Sequence, residues 1–331
     1  MAWAKTAHRA VLFTSGILFC LLMAGVLAIQ FWGHAVMPRV TLDLVAPPQR
    51  HKPVVIFTPQ VIRASGVLVS DPALIEPTAQ GPLPKIAADG RKPMAAYAAP
   101  APTDAKFKIA LVVSGLGLSA TATAQALDIL PAGVTLGFVP YADNVGDWVM
   151  RARGRGYEVL LEIPMEPPDF PDSDPGPNSL RTDQDTSTNI NNLHWALSRF
   201  TGYAGVTNLL GQRFLSNETA MSPIISELDR RGLYFFDTED PSIDAIASAP
   251  DIDRRLSDLE AQARTHGSAI GRVFLYPVSL ARIAAWAAGL KARGFVLVPL
   301  SAIVSGSKPP CARIHVQRSA LPAMCRHHAV Q

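Results

Sequence analysis

Short apolar runs alternate with helical patterns from Phe107 to about residue 304. Several runs are rich in β-branched residues and continuously apolar, which is typical of strands whose two faces are both covered. Alternation of strand and helix predicts βα units around a parallel sheet. The predicted strands are Lys108–Val113, Val134–Val139, Glu158–Ile163, Gly205–Asn208, Leu233–Phe236, Ala269–Leu275 and Phe295–Leu300.

The segments between these runs have helical periodicity. Seven strands with intervening helices favour an α/β fold, a seven-stranded and incomplete (β/α) barrel, over an open six-stranded sheet. In either architecture the ligands meet the carboxyl ends of the strands, so function is expected there. The predicted helices are Ala120–Leu130, Val145–Arg155, Asn191–Phe200, Glu218–Arg231, Ile252–Thr265 and Ser279–Arg293.

The N-terminal segment Val11–Trp32 contains 22 residues and no charge. At about 1.5 Å per residue a helix of this length spans about 33 Å, the thickness of a hydrocarbon core. Lys5 and Arg9 precede it, which favours a cytoplasmic N-terminus. A cleaved signal peptide is the alternative, although its apolar region is normally shorter. We therefore expect residues 1–35 to form a single-pass inner-membrane anchor, with the rest of the chain in the periplasm of a Gram-negative cell.

Residues 36–105 are rich in Pro and Ala and are predicted to form a largely disordered linker. Within it, Val54–Phe57 is a candidate short strand or partner-binding segment. The barrel domain is assigned to residues 106–304. The net charge of +3 gives no electrostatic footprint for nucleic acid.

The C-terminal tail, residues 305–331, is basic and has no Asp or Glu. Cys311 and Cys325 enclose a short loop and are candidates for a disulfide in an oxidising compartment. A metal site is a second alternative, although the spacing matches no standard zinc pattern. A solvated tail that meets anionic envelope polymers is the third. The metal alternative uses Cys311, His315, Cys325, His327 and His328.

The turn after the first strand has the form G-x-G-x-x-A, with Gly115, Gly117 and Ala120 between a strand and a helix. This is the literal form of a dinucleotide fingerprint. The next strand, however, lacks the acidic residue that would hold a ribose. The alternative is a tight turn in which Ser119 caps the following helix.

Carboxylates at the ends of two strands are candidate functional groups. Glu162 lies in the third strand and would point to one side of a sheet that is otherwise apolar, where a carboxylate is costly unless it is paired or faces a cavity. Asp237 directly follows an apolar strand, the usual position of a catalytic acid or base in a barrel. The alternative for Glu162 is a salt-bridged carboxylate at the rim of the barrel. The alternative for Asp237 is a helix cap or a carboxylate at the rim.

The ordered sequence blocks from Phe107 to Ile303 resemble the divergent polysaccharide deacetylases. The resemblance implies a (β/α) barrel, carbohydrate metabolism, and cell-envelope polysaccharide or peptidoglycan as the ligand. It also points to substrate-binding roles for Ser114, Glu166, Asn208, Arg213 and Tyr276. The blocks are Ala110–Val113 with Leu116-Gly117, Glu158–Leu161 with Pro164–Pro167, Asn208 with Gly211 and Arg213-Phe214, Phe236-Asp237, Ala269–Gly271 with Tyr276-Pro277, and Leu297–Ser301.

The family's usual metal-binding positions are replaced in this chain. Ser114-Gly115 stand where two aspartates are usual, while Glu162 and Leu209 stand where histidines are usual. Val273-Phe274-Leu275 replace a Gly-His-Pro block, and only Asp237 remains of the acidic and imidazole groups. Within residues 106–304 the only histidines, His194 and His266, lie in helical patterns and not at strand ends. Deacetylation by this fold needs a divalent metal, and that metal needs imidazole and carboxylate ligands. Because these ligands are replaced, we expect neither a metal nor another cofactor in the barrel.

Three functions remain open at this point. The first is a glycan-binding barrel that has lost or altered metal-dependent deacetylase activity. The second is a metal-independent carbohydrate hydrolase in which Glu162 and Asp237 act as the acid/base pair. The third is a periplasmic scaffold that reaches a protein partner through its linker.

Overall fold

The computed structural model describes residues 62–64, 67–102, 106–237, 242–304 and 313–315. The predicted anchor at Val11–Trp32, the segment Val54–Phe57 and the tail cysteines lie outside these residues. No helix in the described ranges has the length and apolarity needed to cross a membrane.

The N-terminal described segment forms two small antiparallel hairpins and two short helices. Asp71 accepts a hydrogen bond from the Ala73 amide at 2.9 Å and forms an ion pair with Arg91 at 2.7 Å. The ion pair connects the end of β2 with the residues just before α1. Residues 70–102 are therefore ordered, unlike the spacer that their composition predicts, although the domain boundaries remain predictions. The elements are β1 (Ile62–Ala64), β2 (Val67–Ser70), a 3-10 turn (Pro72–Leu74), β3 (Ile75–Thr78), β4 (Gly81–Pro84) and helix α1 (Pro93–Ala96).

Among the residues that the structure describes, the main sheet has eight strands, and every pair in it is parallel. Its order is β10-β5-β6-β7-β8-β9-β12, with β11 beside the start of β5. The strands are β5 (Phe107–Leu116), β6 (Thr135–Phe138), β7 (Glu158–Met165), β8 (Gly205–Leu210), β9 (Tyr234–Asp237), β10 (Ser268–Phe274), β11 (Phe295–Leu297) and β12 (Arg313–His315).

Helices follow the strands, and capping side chains define where several of them begin. Ser119 accepts from the Ala122 amide at 3.3 Å, so the G-x-G-x-x-A turn ends in a helix N-cap. The helices are α2 (Ala120–Ile129), α3 (Val145–Gly154), α4 (Thr186–Leu197), α5 (Gln212–Leu215), α6 (Glu218–Arg230), α7 (Ala249–His266), α8 (Pro277–Ala288), a 3-10 turn (Lys291–Arg293) and α9 (Ser301–Val304).

The sheet curls into a half-barrel, and no strand pair closes it among the described residues, because β10 pairs only with β5. The loop after β9 covers part of the open side. Within this loop, the Ile243 amide donates to the Arg272 carbonyl at 2.9 Å. The buried Asp244 accepts from the Phe274 amide at 2.9 Å. The expected incomplete α/β barrel therefore agrees with the architecture, although β12 adds an eighth strand to the seven that the sequence predicts.

Alternate residues of the strands pack on opposite faces of the sheet. Ile109, Leu111 and Val113 of β5 belong to the large outer core that the helices cover. Their neighbours Ala110 and Val112 belong to a smaller inner core, together with Leu160, Tyr234 and Phe236. Because side chains alternate along a strand, the inner series continues to Ser114 on β5 and Glu162 on β7.

The amino ends of the strands are held together around a buried carboxylate, Glu158. Its oxygens accept from the Ser301 amide at 2.9 Å, the Ala99 amide at 3.2 Å and the Thr135 hydroxyl at 3.3 Å. Glu158 thus ties the segment before β5, strand β6 and the start of α9 to β7. This end is occupied by structural contacts, which leaves the carboxyl ends as the place for a functional site.

Candidate functional site

Glu162 projects from β7 into the barrel and is completely buried. Its Oε1 accepts a hydrogen bond from the backbone amide of Gly115, near the end of β5, at 2.9 Å. On the neighbouring strand β6, a Cβ at Gly137 would overlap Oε1. The carboxyl group therefore packs against the backbone of β6 at Gly137 and is hydrogen-bonded to the end of β5. Glycine at residue 137 leaves the space that the carboxyl group occupies.

Burial raises the pKa of Glu162 to about 7. Three neighbours act in the opposite direction and lower its pKa: the Gly115 amide, the positive charge of Arg272 and the Ser114 hydroxyl. Because burial is the largest influence, the Glu162 carboxyl gains and loses its proton close to neutral pH.

Arg272 extends from β10 across the inside of the barrel to β8. Its Nη2 donates to Asn208 Oδ1 at 3.0 Å and also to the Thr207 hydroxyl. On the way, its guanidinium carbon lies 5.5 Å from the centre of the Phe236 ring on β9. A single side chain thus connects β10, at one edge of the sheet, with β8, which lies near the opposite edge.

Arg272 is also the positive charge that faces the two candidate carboxylates. Burial lowers its pKa, while the negative charges of Glu162 and Asp237 raise it. Both carboxylates therefore interact electrostatically with the same guanidinium. The arrangement joins groups from four strands, because Asn208 on β8 completes the set.

Three polar atoms in this cluster are buried without a hydrogen-bond partner among the described residues: Ser114 Oγ, Glu162 Oε2 and Arg272 Nε. The Ser114 hydroxyl is close enough to lower the pKa of Glu162, but it does not meet the geometry of a hydrogen bond. Buried polar atoms normally have partners, so these atoms retain capacity to bind a water molecule or a ligand group.

Two other candidate residues, Glu166 and Arg213, are brought together by the structure. Glu166 Oε1 lies 3.3 Å from Arg213 Nη1. Its Oε2 accepts from both the amide and the hydroxyl of Thr182, each at 2.7 Å. Glu166 is buried and holds the loop after β7, whereas Arg213 is exposed. The substrate-binding roles predicted for both residues stay predictions.

The remaining candidates differ in exposure. Asn208 is buried, and its amide donates to the Leu210 carbonyl while its oxygen accepts from Arg272. Asp237 is buried at the end of β9. Tyr276 is exposed at the start of α8, with its ring centre 6.2 Å from that of Phe274. Glu162, Asp237, Asn208 and Ser114 thus cluster around Arg272, whereas Tyr276 lies on the rim.

A polar cleft of about 400 Å³ lies between the first turns of α4 and α6. These helices follow β7 and β8, so the cleft opens on the side of the carboxyl ends of the strands. Amide and hydroxyl groups dominate its lining, and Thr182 connects it to Glu166. The lining residues are Thr182, Gln184, Asp185, Thr186, Asn189, Asn217, Thr219, Ala220, Pro223 and Ile224.

The donors in the barrel do not fit the divalent metal that the family usually holds. A catalytic metal site needs about three nitrogen, sulfur or carboxylate ligands. In the described ranges, no group of three or more His, Cys, Asp or Glu side chains is arranged to hold an ion. The guanidinium of Arg272, which lies among the available oxygens, would repel a cation. No chemical step can therefore be assigned to a metal in this barrel.

Sequence reasoning missed Arg272 and Asp244. A signal for Arg272 was present, because it is the charged residue of β10 and has the same strand parity as the inner residue Ile270. Its partners on β8 come more than sixty positions earlier in the chain, so the sequence does not reveal the pairing.

The family model of the divergent polysaccharide deacetylases matches residues 111–249 and 238–304. The chain belongs to this family. Membership supports a carbohydrate-related, deacetylase-like function and agrees with the resemblance of the sequence blocks.

Two relatives that match are named as uncharacterized proteins. The uncharacterized protein ATU2773 from Agrobacterium tumefaciens C58 is 36% identical, with a TM-score of 0.66, over 67% of this chain and 99% of that one. The uncharacterized protein YibQ of Escherichia coli K12 is 24% identical over 131 residues, 40% of each protein. The chain thus spans less than half of YibQ.

A further solved structure is the catalytic domain of a peptidoglycan N-acetylglucosamine deacetylase from Eubacterium rectale. It is 13% identical over 65% of this chain and 96% of that one, with a TM-score of 0.43.

Proposed function

We propose that this chain is a cell-envelope protein whose barrel binds N-acetylated glycan without metal-dependent deacetylation. The observation that carries the absence of metal-dependent deacetylation is the cluster of Ser114, Glu162 and Arg272 at the carboxyl ends of the strands. Family membership supports a carbohydrate ligand. The guanidinium of Arg272 balances the charge of the carboxylates, and no set of metal ligands surrounds it among the described residues. This argues against metal-dependent hydrolysis of the acetyl group.

The polar cleft supports the binding half of the proposal. Its volume lies within the range of about 300–1,000 Å³ that small-molecule sites occupy. Hydroxyl and amide side chains supply hydrogen bonds, and Ala220, Pro223 and Ile224 supply an apolar wall. An N-acetylated sugar has hydroxyl and amide groups at its edges and an apolar C–H face, which suits this lining. The one carboxylate in the lining, Asp185, is engaged as the N-cap of α4.

The cellular part of the proposal depends on the sequence of the N-terminus. The uncharged segment Val11–Trp32 would anchor the chain in the inner membrane and deliver the barrel to the periplasm. Peptidoglycan is then the N-acetylated glycan within reach. A protein partner bound through the segment before the barrel is part of the same proposal.

The test is sedimentation of the purified full chain with insoluble peptidoglycan sacculi. We expect the wild type to sediment with sacculi, and Thr219→Trp, which fills the cleft from an exposed position, to bind at least tenfold more weakly. Ser226→Ala lies on α6 outside the lining residues and serves as the matched control. Absence of wild-type sedimentation would refute the binding function.

The activity half is tested with the same sacculi. Acetate release is measured with added Zn²⁺ and with EDTA, and we expect none in either condition. Acetate release that EDTA abolishes would show that a metal does act in this protein.

A second candidate function is a metal-independent hydrolase that uses Glu162 and Asp237. The observation in its favour is the pKa of Glu162, about 7, which suits a general acid at neutral pH. Its complete burial argues against it, because the carboxyl group has no exposed oxygen to reach a glycosidic bond. Release of reducing ends from sacculi in EDTA, lost in Glu162→Gln and Asp237→Asn, would establish this function instead.

A further inference from the structure

We infer that Arg272 is the resident cation of this barrel: its guanidinium takes the place of a divalent metal ion and holds Glu162, Asp237 and Asn208 around one positive charge inside the barrel. Nothing in the family resemblance or in the relatives assigns a role to this residue. The inference rests on the proposed function in one respect, that no divalent metal operates at this site.

The geometry supports this role through the reach of the side chain. Arg272 starts on β10, passes the Phe236 ring at 5.5 Å and donates to two side chains on β8. The guanidinium is thereby held at a fixed position inside the half-barrel. A planar group with several donors suits this position, whereas the ammonium group of lysine provides only a compact point charge.

The charges give the second argument. Glu162 and Asp237 are buried, and a buried carboxylate is unstable unless a positive charge or hydrogen bonds compensate it. In metal-dependent barrels the ion provides that compensation. Here Arg272 interacts electrostatically with both carboxylates. The groups facing Glu162 are Ser114 and Gly115 at the end of β5 and Arg272 on β10.

The position of Arg272 in the chain gives the third argument. It lies two residues before Phe274, which stands at the place of the family's histidine, and it shares the inner parity of that residue. Strand β10 therefore carries an inward-facing arginine, Arg272, two residues before the position at which the family's histidine ligand is replaced by Phe274. A divalent ion near this guanidinium would experience Coulomb repulsion that the remaining carboxylates have to overcome.

The experiment compares the full chain with Arg272→Met, Arg272→Lys and the control Arg282→Met. Arg282 is a partly exposed arginine on α8 that pairs with Asp253, outside the barrel. We expect Arg272→Met to lower the melting temperature by about 5–10 °C, Arg272→Lys to recover part of this loss, and Arg282→Met to lower it by under about 3 °C.

Two further readouts separate this role from ordinary packing. The ionisation midpoint of Glu162, assigned by its absence in Glu162→Gln, should rise in Arg272→Met and stay unchanged in Arg282→Met. Mn²⁺, a cation that prefers oxygen ligands, should bind Arg272→Met at least tenfold more tightly than wild type. An unchanged midpoint together with unchanged Mn²⁺ affinity would overturn the inference.

The outcome is distinguishable from failure of the proposed function. If wild type fails to bind sacculi while Arg272→Met still moves the Glu162 midpoint and Mn²⁺ affinity, only the glycan-binding proposal is wrong. If sacculi bind normally and both readouts are unmoved, only the role of Arg272 is wrong.

Discussion

Gly137 leaves the space in which the carboxyl group of Glu162 lies, because any side chain on residue 137 would overlap Glu162 Oε1. The two residues stand on neighbouring strands, Gly137 on β6 and Glu162 on β7. A glycine inside a strand normally weakens it and often marks a close approach of another group. Here the approaching group is the carboxyl group of Glu162, a candidate functional residue. Gly137 is therefore part of the site, although it has no side chain that could react or bind.

Gly137→Ala should therefore destabilise the protein. The added methyl group has to displace a buried carboxyl group that is tied to Gly115, and such overpacking typically costs about 1–3 kcal/mol. Gly146→Ala is the matched control, since a Cβ there meets no atom within 4 Å and the residue lies in α3. Alanine suits a helix, so the control should be neutral or slightly stabilising. Urea unfolding of both variants checks this, and equal effects would contradict it.

Glu162 should make stability depend on pH near neutrality. Its folded pKa of about 7 lies above the ordinary value of 4.5, so the folded state binds its proton more tightly than the unfolded state does. The stabilisation is complete below about pH 4.5 and is lost as the pH rises through 7. The shift corresponds to at most about 3 kcal/mol.

Glu162→Gln separates this effect from other titrating groups. The amide cannot ionise, so the variant should lose less stability than wild type between pH 5 and about pH 8. The measurement is the free energy of unfolding in urea at several pH values for both proteins. Parallel pH profiles would mean that Glu162 does not titrate in this range.

Asp244 should be more important for stability than an ordinary loop carboxylate. It is buried and accepts hydrogen bonds from the Phe274 amide at 2.9 Å, the Ser279 hydroxyl at 2.6 Å and the Ser242 hydroxyl. Asp244→Ala leaves these donors unpaired and should cost about 3–5 kcal/mol. Asp253→Ala, at a partly exposed ion pair with Arg282, should cost less than about 1 kcal/mol. Chemical denaturation measures both losses, and a similar loss in the two variants would refute the structural role of Asp244.

The sequence predicts the strands well because their signal is local. The predicted strand at Lys108–Val113 lies within β5, and Glu158–Ile163 lies within β7. Helix boundaries were less accurate where polar residues hide the start. Helix α4 begins at Thr186, five residues before the predicted start at Asn191, because Asp185 caps it and Asn189 packs inside.

The site was harder to predict, because its contacts are distant in the chain. Glu162 and Asp237 were recognised as strand-end carboxylates, and the structure brings both to Arg272. The sequence alone does not show that this arginine reaches Asn208 on another strand. Likewise, Glu166 is recognisable as a rim carboxylate, but its bonds to Thr182 depend on how the intervening loop folds.

The hairpin of β3 and β4 should depend on Arg231, the residue that directly follows α6. The side chain of Arg231 is buried; it pairs with Glu76 at 3.0 Å, donates to the Pro84 carbonyl at 2.9 Å and pairs with Glu227 at 2.6 Å. Arg231→Met removes these three contacts and a fourth with His194 Nε2 at 3.3 Å, and it leaves a buried carbonyl without its donor. We expect a loss of about 2–4 kcal/mol and faster amide hydrogen exchange in Gly81–Pro84.

The neighbouring Arg230 provides a matched control for this prediction. Its side chain is 63% exposed, and it pairs only with Glu227 within the same helix among the contacts that the structure describes. Arg230→Met should therefore change stability by less than about 0.5 kcal/mol and leave exchange in the hairpin unchanged, since exposed helix pairs contribute little. Unchanged hairpin exchange in Arg231→Met would mean that apolar packing, and not this arginine, holds residues 75–84 against α6.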